Sequence, residues 1–216
     1  MCIIRWKMNL PKIIIKYNRF LDPIFIFYCK NNPELKEKGW NDWIPPNKKE
    51  ILKRIKKYKE EWAKYENVIL YGVCDILGFN FKRNIIDVHI VSGNSRQFSD
   101  PIIIKSGFSP DEFVDILTHE LLHLLFQDNV DIFPTSILNA IFSDESRTVK
   151  NHILTYAVLK FLYIDILHDT RRLERNILNS KRHGSPDYIR AWEIVENKDY
   201  REIITDLKKR CHSLKK

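Results

Sequence analysis

The stretch that decides the fold runs from Ser109 to Asp128 and reads SPDEFVDILTHELLHLLFQD. Its beginning is typical of a capped helix, because Ser109 can cap free N–H groups, Pro110 suits the first helical position and Glu112 completes a capping box. Apolar residues then occupy nearly every face of the segment, which is the pattern of a buried helix. The sequence therefore predicts a helix inside the protein that ends where polar residues return near Asp128.

This helix carries the pattern His-Glu-x-x-His at His119, Glu120 and His123. Residues four apart lie one above the other on a helix face, so both imidazoles can reach one Zn²⁺ at about 2.0–2.1 Å. Glu120 lies one step around the helix and can reach a metal-activated water without being a ligand. Burying these polar side chains costs free energy unless something pairs with them, and a metal ion would do so. We therefore expect a metal-assisted hydrolase.

Two segments upstream of the helix have the composition of β-strands. Residues 85–91 are rich in branched apolar side chains, and residues 101–105 follow a loop that contains Gly, Asn and Ser. Pro101, at the start of the second segment, indicates an edge strand, since proline cannot donate to a strand on that side. The free edge of such a strand could hold an extended peptide.

Strands followed by a buried helix that contains His-Glu-Leu-Leu-His resemble the zincin metallopeptidases, over about residues 48–168. The resemblance, to a minimal intracellular and gluzincin-like type, implies an α+β fold. It would consist of a small, mostly antiparallel sheet with a backing helix, the HExxH active-site helix and a second, ligand-donating helix. It also implies that His119 and His123 bind zinc and that Glu120 is the general base. The structural alternative is a buried helix with two satisfied core histidines.

A third zinc ligand is expected, because catalytic zinc usually has three protein ligands and a water. Residues 124–129 read LLFQDN, without the glycine and histidine that follow the signature in metzincins, so that subgroup is excluded. The DNA-repair protease type is disfavoured for the same reason. A second buried helix is predicted from Ser143, as its N-cap, to about Leu167. This arrangement resembles gluzincins, in which a second helix donates a glutamate.

Two residues of the second helix compete as the third ligand. Glu145 is of the gluzincin ligand type, but an acid in the first turn is also explained by the helix dipole. His152 lies deeper in the apolar part, where an unpaired imidazole is harder to explain, and we favour it. Asp144 and Asp131 are further alternatives. Tyr156, one turn after His152, could donate a hydrogen bond to an oxyanion, although a core tyrosine explains it more simply.

Composition indicates a globular protein rather than a disordered or membrane-spanning one. Of the 216 residues, 44% are hydrophobic and 30% are charged, and no segment approaches the roughly 18 apolar residues of a membrane span. Residues 1–8 lack the features of a cleaved signal peptide. We therefore expect a cytoplasmic protein without a membrane partner. Neither paired metal spacing nor a disulfide framework is present among the four cysteines, which are Cys2, Cys29, Cys74 and Cys211.

The chain is long enough for one domain with a sizeable core, and we predict a single domain over residues 1–216. Within it, residues 1–46 would form an N-terminal hairpin and linker, with the strand hairpin over residues 12–29. Residues 47–168 would form the zincin-like catalytic core, and residues 169–216 a C-terminal helical extension. Further helices are predicted from Asn47 to about Ile76, before Gly78, and over about 171–181, from 185 onward and over 199–210.

The basic charge raises the question of a nucleic-acid partner, since the net charge is +8 and the pI about 9.2. The basic residues of 47–67 are mixed with acidic ones, which indicates a solvated face rather than a phosphate-binding track. The basic run over residues 208–216 is explained by a frayed tail. Charge therefore does not favour nucleic acid, and we expect a peptide or protein substrate.

The function predicted from sequence is zinc-dependent hydrolysis of peptide bonds, with Zn²⁺ held by His119, His123 and His152 and with Glu120 as general base. The alternative is a catalytically inactive, zincin-like basic protein that binds protein or nucleic acid. A third possibility is a metal-bound toxin or nuclease-like protein that acts on nucleic acid.

Overall fold

The computed structural model describes residues 10–183 and 185–213 and has the α+β fold class that the sequence predicts. The strands are β1 (Lys12–Tyr17), β2 (Ile85–Val91), β3 (Phe98–Ser99) and β4 (Ile102–Lys105). The helices are α1 (Leu21–Asn31), α2 (Pro33–Lys36), α3 (Lys48–Leu77), α4 (Pro110–Asp128), α5 (Thr135–Ile141), α6 (Arg147–Phe161), α7 (Thr170–His183), α8 (Pro186–Asn197) and α9 (Tyr200–Ser213). A π-helical turn, Leu162–Ile166, follows α6.

The four strands form one mixed sheet in the order β1-β2-β4-β3. β1 pairs parallel with β2 and β2 pairs parallel with β4, whereas β3 pairs antiparallel with β4. The prediction of a mostly antiparallel sheet is therefore wrong. Residues 102–104 of β4 are buried one after another, which is the pattern of a parallel strand covered on both faces. The edge strand next to β4 is β3, so the assignment of an edge strand to residues 101–105 is also wrong.

The predicted N-terminal hairpin over residues 12–29 is wrong, because only residues 12–17 form a strand. Asn18 Oδ1 accepts hydrogen bonds from the backbone N–H groups of Phe20 and Leu21, and α1 begins there. Pro23 lies in the first turn of α1, where its missing N–H costs nothing. The β-forming aromatic and branched residues of this segment are therefore helical, since context overrides a weak strand preference.

One compact unit of the chain, the sheet unit, consists of Pro11–Asn67 and Arg83–Leu124. It contains the whole sheet, α1, α2, most of α3 and most of α4. Tyr58, on α3, contacts the carbonyl oxygens of Ser106 and Phe108 at 2.7 and 2.8 Å, and its ring stacks on Phe113 of α4 at 4.2 Å. Arg54 donates a further bond of 2.9 Å to the Ser106 carbonyl. The predicted backing helix thus holds the turn that leads from β4 into α4.

The predicted start of α4 is confirmed in atomic detail. The backbone N–H of Ser109 donates to Glu112 Oε2 at 2.8 Å, and the Glu112 N–H donates to Ser109 Oγ at 3.3 Å. These two bonds are the reciprocal capping box read from the sequence. The predicted bounds of α3 are confirmed as well, since Asn47 Oδ1 accepts from the Glu50 N–H at its start, and Gly78, at φ +70°, follows its last residue.

The other compact unit, the helical unit, comprises, within the described residues, Leu10, residues 68–82 and residues 125–213. In it, α6 packs against α8 and α9, and α5 also contacts α6. The second long helix begins later than predicted, because Ser146 rather than Ser143 is its N-cap and accepts a bond from the Val149 N–H. Helix α5 precedes it and was not predicted.

The three C-terminal helices correspond to the predicted ones, and residues 208–213 continue α9 rather than fray. The predictions about Met1–Met8, about Cys2 and about the last three residues of the basic run lie outside the described residues. In the part of the chain that the structure describes, no helix is both long and apolar enough to cross a bilayer.

Candidate metal centre

The two histidines of the signature lie on one face of α4, as their spacing predicts. Their Nε2 atoms are 3.0 Å apart and their ring centroids 4.7 Å apart, and both side chains are half-buried. The neighbouring apolar side chains of α4 are buried: Phe113, Val114, Leu117, Leu121, Leu122, Leu124 and Leu125. This helix therefore presents two imidazole nitrogens at one place among mostly apolar side chains.

Glu120 is a buried carboxylate with a side-chain donor. Only 7% of its surface is exposed, and Ser99 Oγ, on strand β3, donates a hydrogen bond of 2.5 Å to Glu120 Oε2. Burial disfavours the charged carboxylate and raises the pKa of Glu120 to about 7, although the hydrogen bond from Ser99 acts in the opposite direction. Such a carboxyl can exchange a proton near neutral pH, which is the property of a general base.

His152 lies on α6 in the helical unit and is oriented by its own helix. Its Nδ1–H donates to the Thr148 carbonyl oxygen at 2.8 Å, so the neutral ring carries its lone pair on Nε2. Burial lowers the pKa of His152 and thereby favours the neutral ring, the form that binds metals. The ring of Tyr188 meets His152 edge-on at 4.5 Å between centroids. A backbone carbonyl on the far nitrogen is the usual support of a metal-binding histidine.

Among the described residues, His119, His123 and His152 form a group of side chains that could hold a metal ion. Tetrahedral zinc, with bonds of about 2.0–2.1 Å, places its ligand nitrogens roughly 3.3 Å apart. The two Nε2 atoms on α4, which are 3.0 Å apart, are close to that separation. This pair therefore suits two of the ligand positions of one ion. A three-histidine set is also a known ligand set of catalytic zinc, so the residues fit the metal.

The competing carboxylates are engaged elsewhere in the helical unit. Glu145 accepts a bond of 2.8 Å from Arg190 and precedes α6, so its predicted place in the first turn of that helix is wrong. Asp131 pairs with Lys82 at 2.9 Å on the surface. Asp144 accepts a bond from the Ser143 hydroxyl. Among the described residues, none of these three acids belongs to the histidine group.

Tyr156, considered in the sequence as an oxyanion donor, is built into the core of the helical unit. Its hydroxyl lies 3.3 Å from Ser180 Oγ, and its ring stacks on Trp192 at 4.2 Å between centroids. Ser180 Oγ also accepts a bond from the Trp192 indole N–H. These contacts support the simpler interpretation of Tyr156 as a core residue.

Ser99 is the site residue that the sequence analysis did not predict, because it lies in a polar segment without periodicity.

No protein-family model matches the sequence, and comparison with characterised proteins and with solved structures finds no similar protein. The chemistry of the site is therefore inferred from its own side chains.

Proposed function

We propose that this protein is a zinc-dependent peptidase. The observation that carries the proposal is the pair of His119 and His123, whose Nε2 atoms lie 3.0 Å apart on α4, and His152 is the proposed third ligand. Glu120 follows His119 directly in α4, so a carboxylate accompanies the three candidate ligands. Three protein nitrogens and an open fourth position are the composition of catalytic rather than structural zinc sites.

The residues around the group suit water-dependent bond cleavage. When bound, zinc would polarise a substrate carbonyl and lower the pKa of a water to about 7. Glu120 would take the proton of the attacking water on its carboxylate and return it to the leaving amine. Ser99, through its bond to Oε2, would hold that carboxylate in one orientation, with Oε1 as the atom that takes the proton.

A peptide is the proposed substrate because of the sheet edge beside Glu120. β3, which carries Ser99, is the last strand of the sheet on that side. An edge strand offers backbone N–H and C=O groups that an extended chain can pair with. A peptide added to β3 would run past Ser99, whose hydroxyl contacts Glu120. The strand that would pair with an extended substrate is therefore β3, residues 98–99, and not residues 101–105 as the sequence suggested.

The first test is metal content. Protein purified without chelators is analysed by inductively coupled plasma mass spectrometry, and we expect about one zinc per chain. His152→Ala should lose most of this zinc, whereas His89→Gln, which changes a histidine of β2 outside the group, should keep it. Glu145→Ala should also keep its zinc. Wild-type protein that contains no metal and takes none up would refute the proposal.

The second test is catalysis on a library of quenched fluorescent peptides. Glu120→Gln should keep its zinc and lose hydrolysis by roughly 10²–10⁴-fold, because the amide cannot accept the proton. Glutamine preserves the shape of the side chain and can still accept the bond from Ser99. Zinc binding without any chelator-sensitive hydrolysis would instead favour the alternative, a zinc-containing binding protein without turnover.

A further inference from the structure

The outer face of α1 is apolar and exposed along its whole length. Phe20, Pro23, Ile24, Phe27 and Tyr28 follow one another at helical spacing, and all five are exposed. The exposed fractions are 73% for Phe20, 62% for Ile24 and 70% for Phe27. We call these five residues the α1 face. Contiguous apolar surface of this kind marks an interaction site rather than ordinary surface.

Buried contacts on the side of α1 opposite the α1 face fix the orientation of the helix. Rotating the helix about its axis to bury the α1 face would break buried hydrogen bonds. Asp22 is buried and accepts bonds from the Ser92 N–H at 2.5 Å, from Ser92 Oγ at 2.8 Å and from the Tyr17 hydroxyl at 2.6 Å. Cys29, two turns further on, has no exposed surface. The helix is therefore fixed with its apolar residues outward.

The size of the α1 face limits what can cover it. Side chains of this kind, partly exposed, amount to roughly 400–600 Å² of surface. A stable dimer usually buries about 800 Å² on each partner. A helix that lies on a bilayer, by contrast, buries only its apolar face, about 5–10 Å deep in the headgroup region. The area alone is sufficient for the second arrangement.

The charges around α1 favour an anionic surface. The single acidic residue of the helix is Asp22, which is buried in the bonds just described. Arg19 precedes the helix and Lys30 lies in its last turn, so both ends of the α1 face are basic. The Arg19 guanidinium lies 4.7 Å from the centre of the Phe20 ring, at the border of the apolar surface. Basic residues that flank exposed aromatics are the composition of helices at anionic lipid surfaces.

We propose that the α1 face docks on the surface of an anionic phospholipid bilayer, with the helix parallel to the membrane plane. Phe20, Ile24 and Phe27 would enter the headgroup region while Arg19 and Lys30 contact lipid phosphates. The net charge of +8 adds attraction to the same surface. This departs from the expectation, drawn from the lack of a membrane span in the sequence, that the chain has no membrane partner. It does not depend on the proposed peptidase activity.

The test is co-flotation of the full chain with vesicles. One set is pure phosphatidylcholine, and the other contains about one-third phosphatidylglycerol. We expect binding to the anionic vesicles that weakens with salt. The double variant Ile24→Gln/Phe27→Gln should bind about tenfold more weakly or worse, since two inserted apolar side chains are lost. The matched control Val130→Gln/Leu178→Gln, which removes two exposed apolar side chains of the helical unit, should bind like the wild type.

A conservative variant supplies a second readout, which reports insertion into the bilayer directly and does not depend on a loss of vesicle binding. Phe27→Trp keeps the surface apolar, and brominated lipids should quench its fluorescence more than that of the wild type. Arg19→Glu/Lys30→Glu should reduce binding to anionic vesicles. The proposal is overturned if Ile24→Gln/Phe27→Gln floats like the wild type, or if no vesicles are bound. It is equally overturned if the wild type instead forms a dimer that this variant abolishes.

Discussion

Ser99 Oγ, on the edge strand β3, donates a hydrogen bond of 2.5 Å to Oε2 of Glu120, on helix α4. The contact joins the only antiparallel pair of the described sheet to the helix that carries both signature histidines. Because Glu120 is buried, this bond restrains a carboxylate that water does not surround. Ser99 is thus a positioning residue for Glu120 if the proposed peptidase activity is correct.

We predict that Ser99→Ala lowers kcat by roughly 10–100-fold while KM and zinc content change little. A hydrogen bond to a charged group contributes about 1.5–3 kcal/mol, which corresponds to that range of rates. Steady-state kinetics on a cleaved peptide, with metal analysis of the same preparation, measure both quantities. Ser99→Thr keeps the hydroxyl and should restore most of kcat. An alanine variant that loses its zinc, or that keeps full kcat, would contradict this role.

If the proposed site is correct, zinc should stabilise the folded chain, because the ion would bind the histidines there and would have no equivalent site in the unfolded chain. At a free zinc concentration a thousand times Kd, the stabilisation is about 4 kcal/mol. For a chain of this size that corresponds to a rise in Tm of roughly 8–16 °C. Differential scanning fluorimetry of chelated and zinc-restored protein measures it. His119→Ala and His123→Ala should abolish the rise, and an unchanged rise in both would contradict the site.

Asp22 should be among the most sensitive residues of the sheet unit. Its buried carboxylate accepts three bonds, from the Ser92 N–H and hydroxyl and from the Tyr17 hydroxyl. Asp22→Ala leaves these donors without their acceptor, so we expect the free energy of unfolding to fall by about 3 kcal/mol or more. Asp87→Ala, which removes an exposed ion pair with Lys16, should cost less than about 1 kcal/mol. Urea unfolding compares the two, and equal losses would contradict the assignment.

His89 should make stability depend on pH. Its Nδ1 accepts a bond of 3.2 Å from Asn18 Nδ2, and burial, followed by the nearby Lys16 charge, lowers its pKa in the folded chain. The unfolded chain then binds a proton more readily, so the contribution of neutral His89 is fully present above about pH 6.5 and is lost as the pH falls. In urea unfolding between pH 7 and pH 5, His89→Gln should lose less stability than the wild type. Identical pH slopes would show that His89 does not contribute.

The elements that local sequence determines were predicted well. Ser109 and Glu112 specify the start of α4 through a capping box, and Asn47 and Gly78 bound α3. These signals depend on residues within one or two turns of each other, so no tertiary contact is needed to read them. The pairing of His119 with His123 is of the same kind, because helix geometry alone puts residues four apart on one face.

The errors concern contacts between residues distant in sequence. The side-chain pattern of β2 is the same whichever way its neighbours run, so the parallel pairing with β1 and β4 was not predictable from that pattern. Residues 21–31 have strand-like composition but are helical, because Asn18 accepts backbone hydrogen bonds at the start of the segment and buried Asp22 holds it in place. Ser99 gave no signal at all, since its role depends on Glu120, 21 residues away.

The sequence by itself determined a buried, capped helix with His119, Glu120 and His123 in the order that a metal-assisted hydrolase requires. It also supplied His152 as a candidate third ligand, from burial and ligand chemistry alone. Only the tertiary structure decided that Ser99, on strand β3, is the donor to Glu120. The physical reason is range: capping and helical periodicity act over a few residues, whereas a hydrogen bond between a strand and a helix requires segments that meet only when the chain has folded.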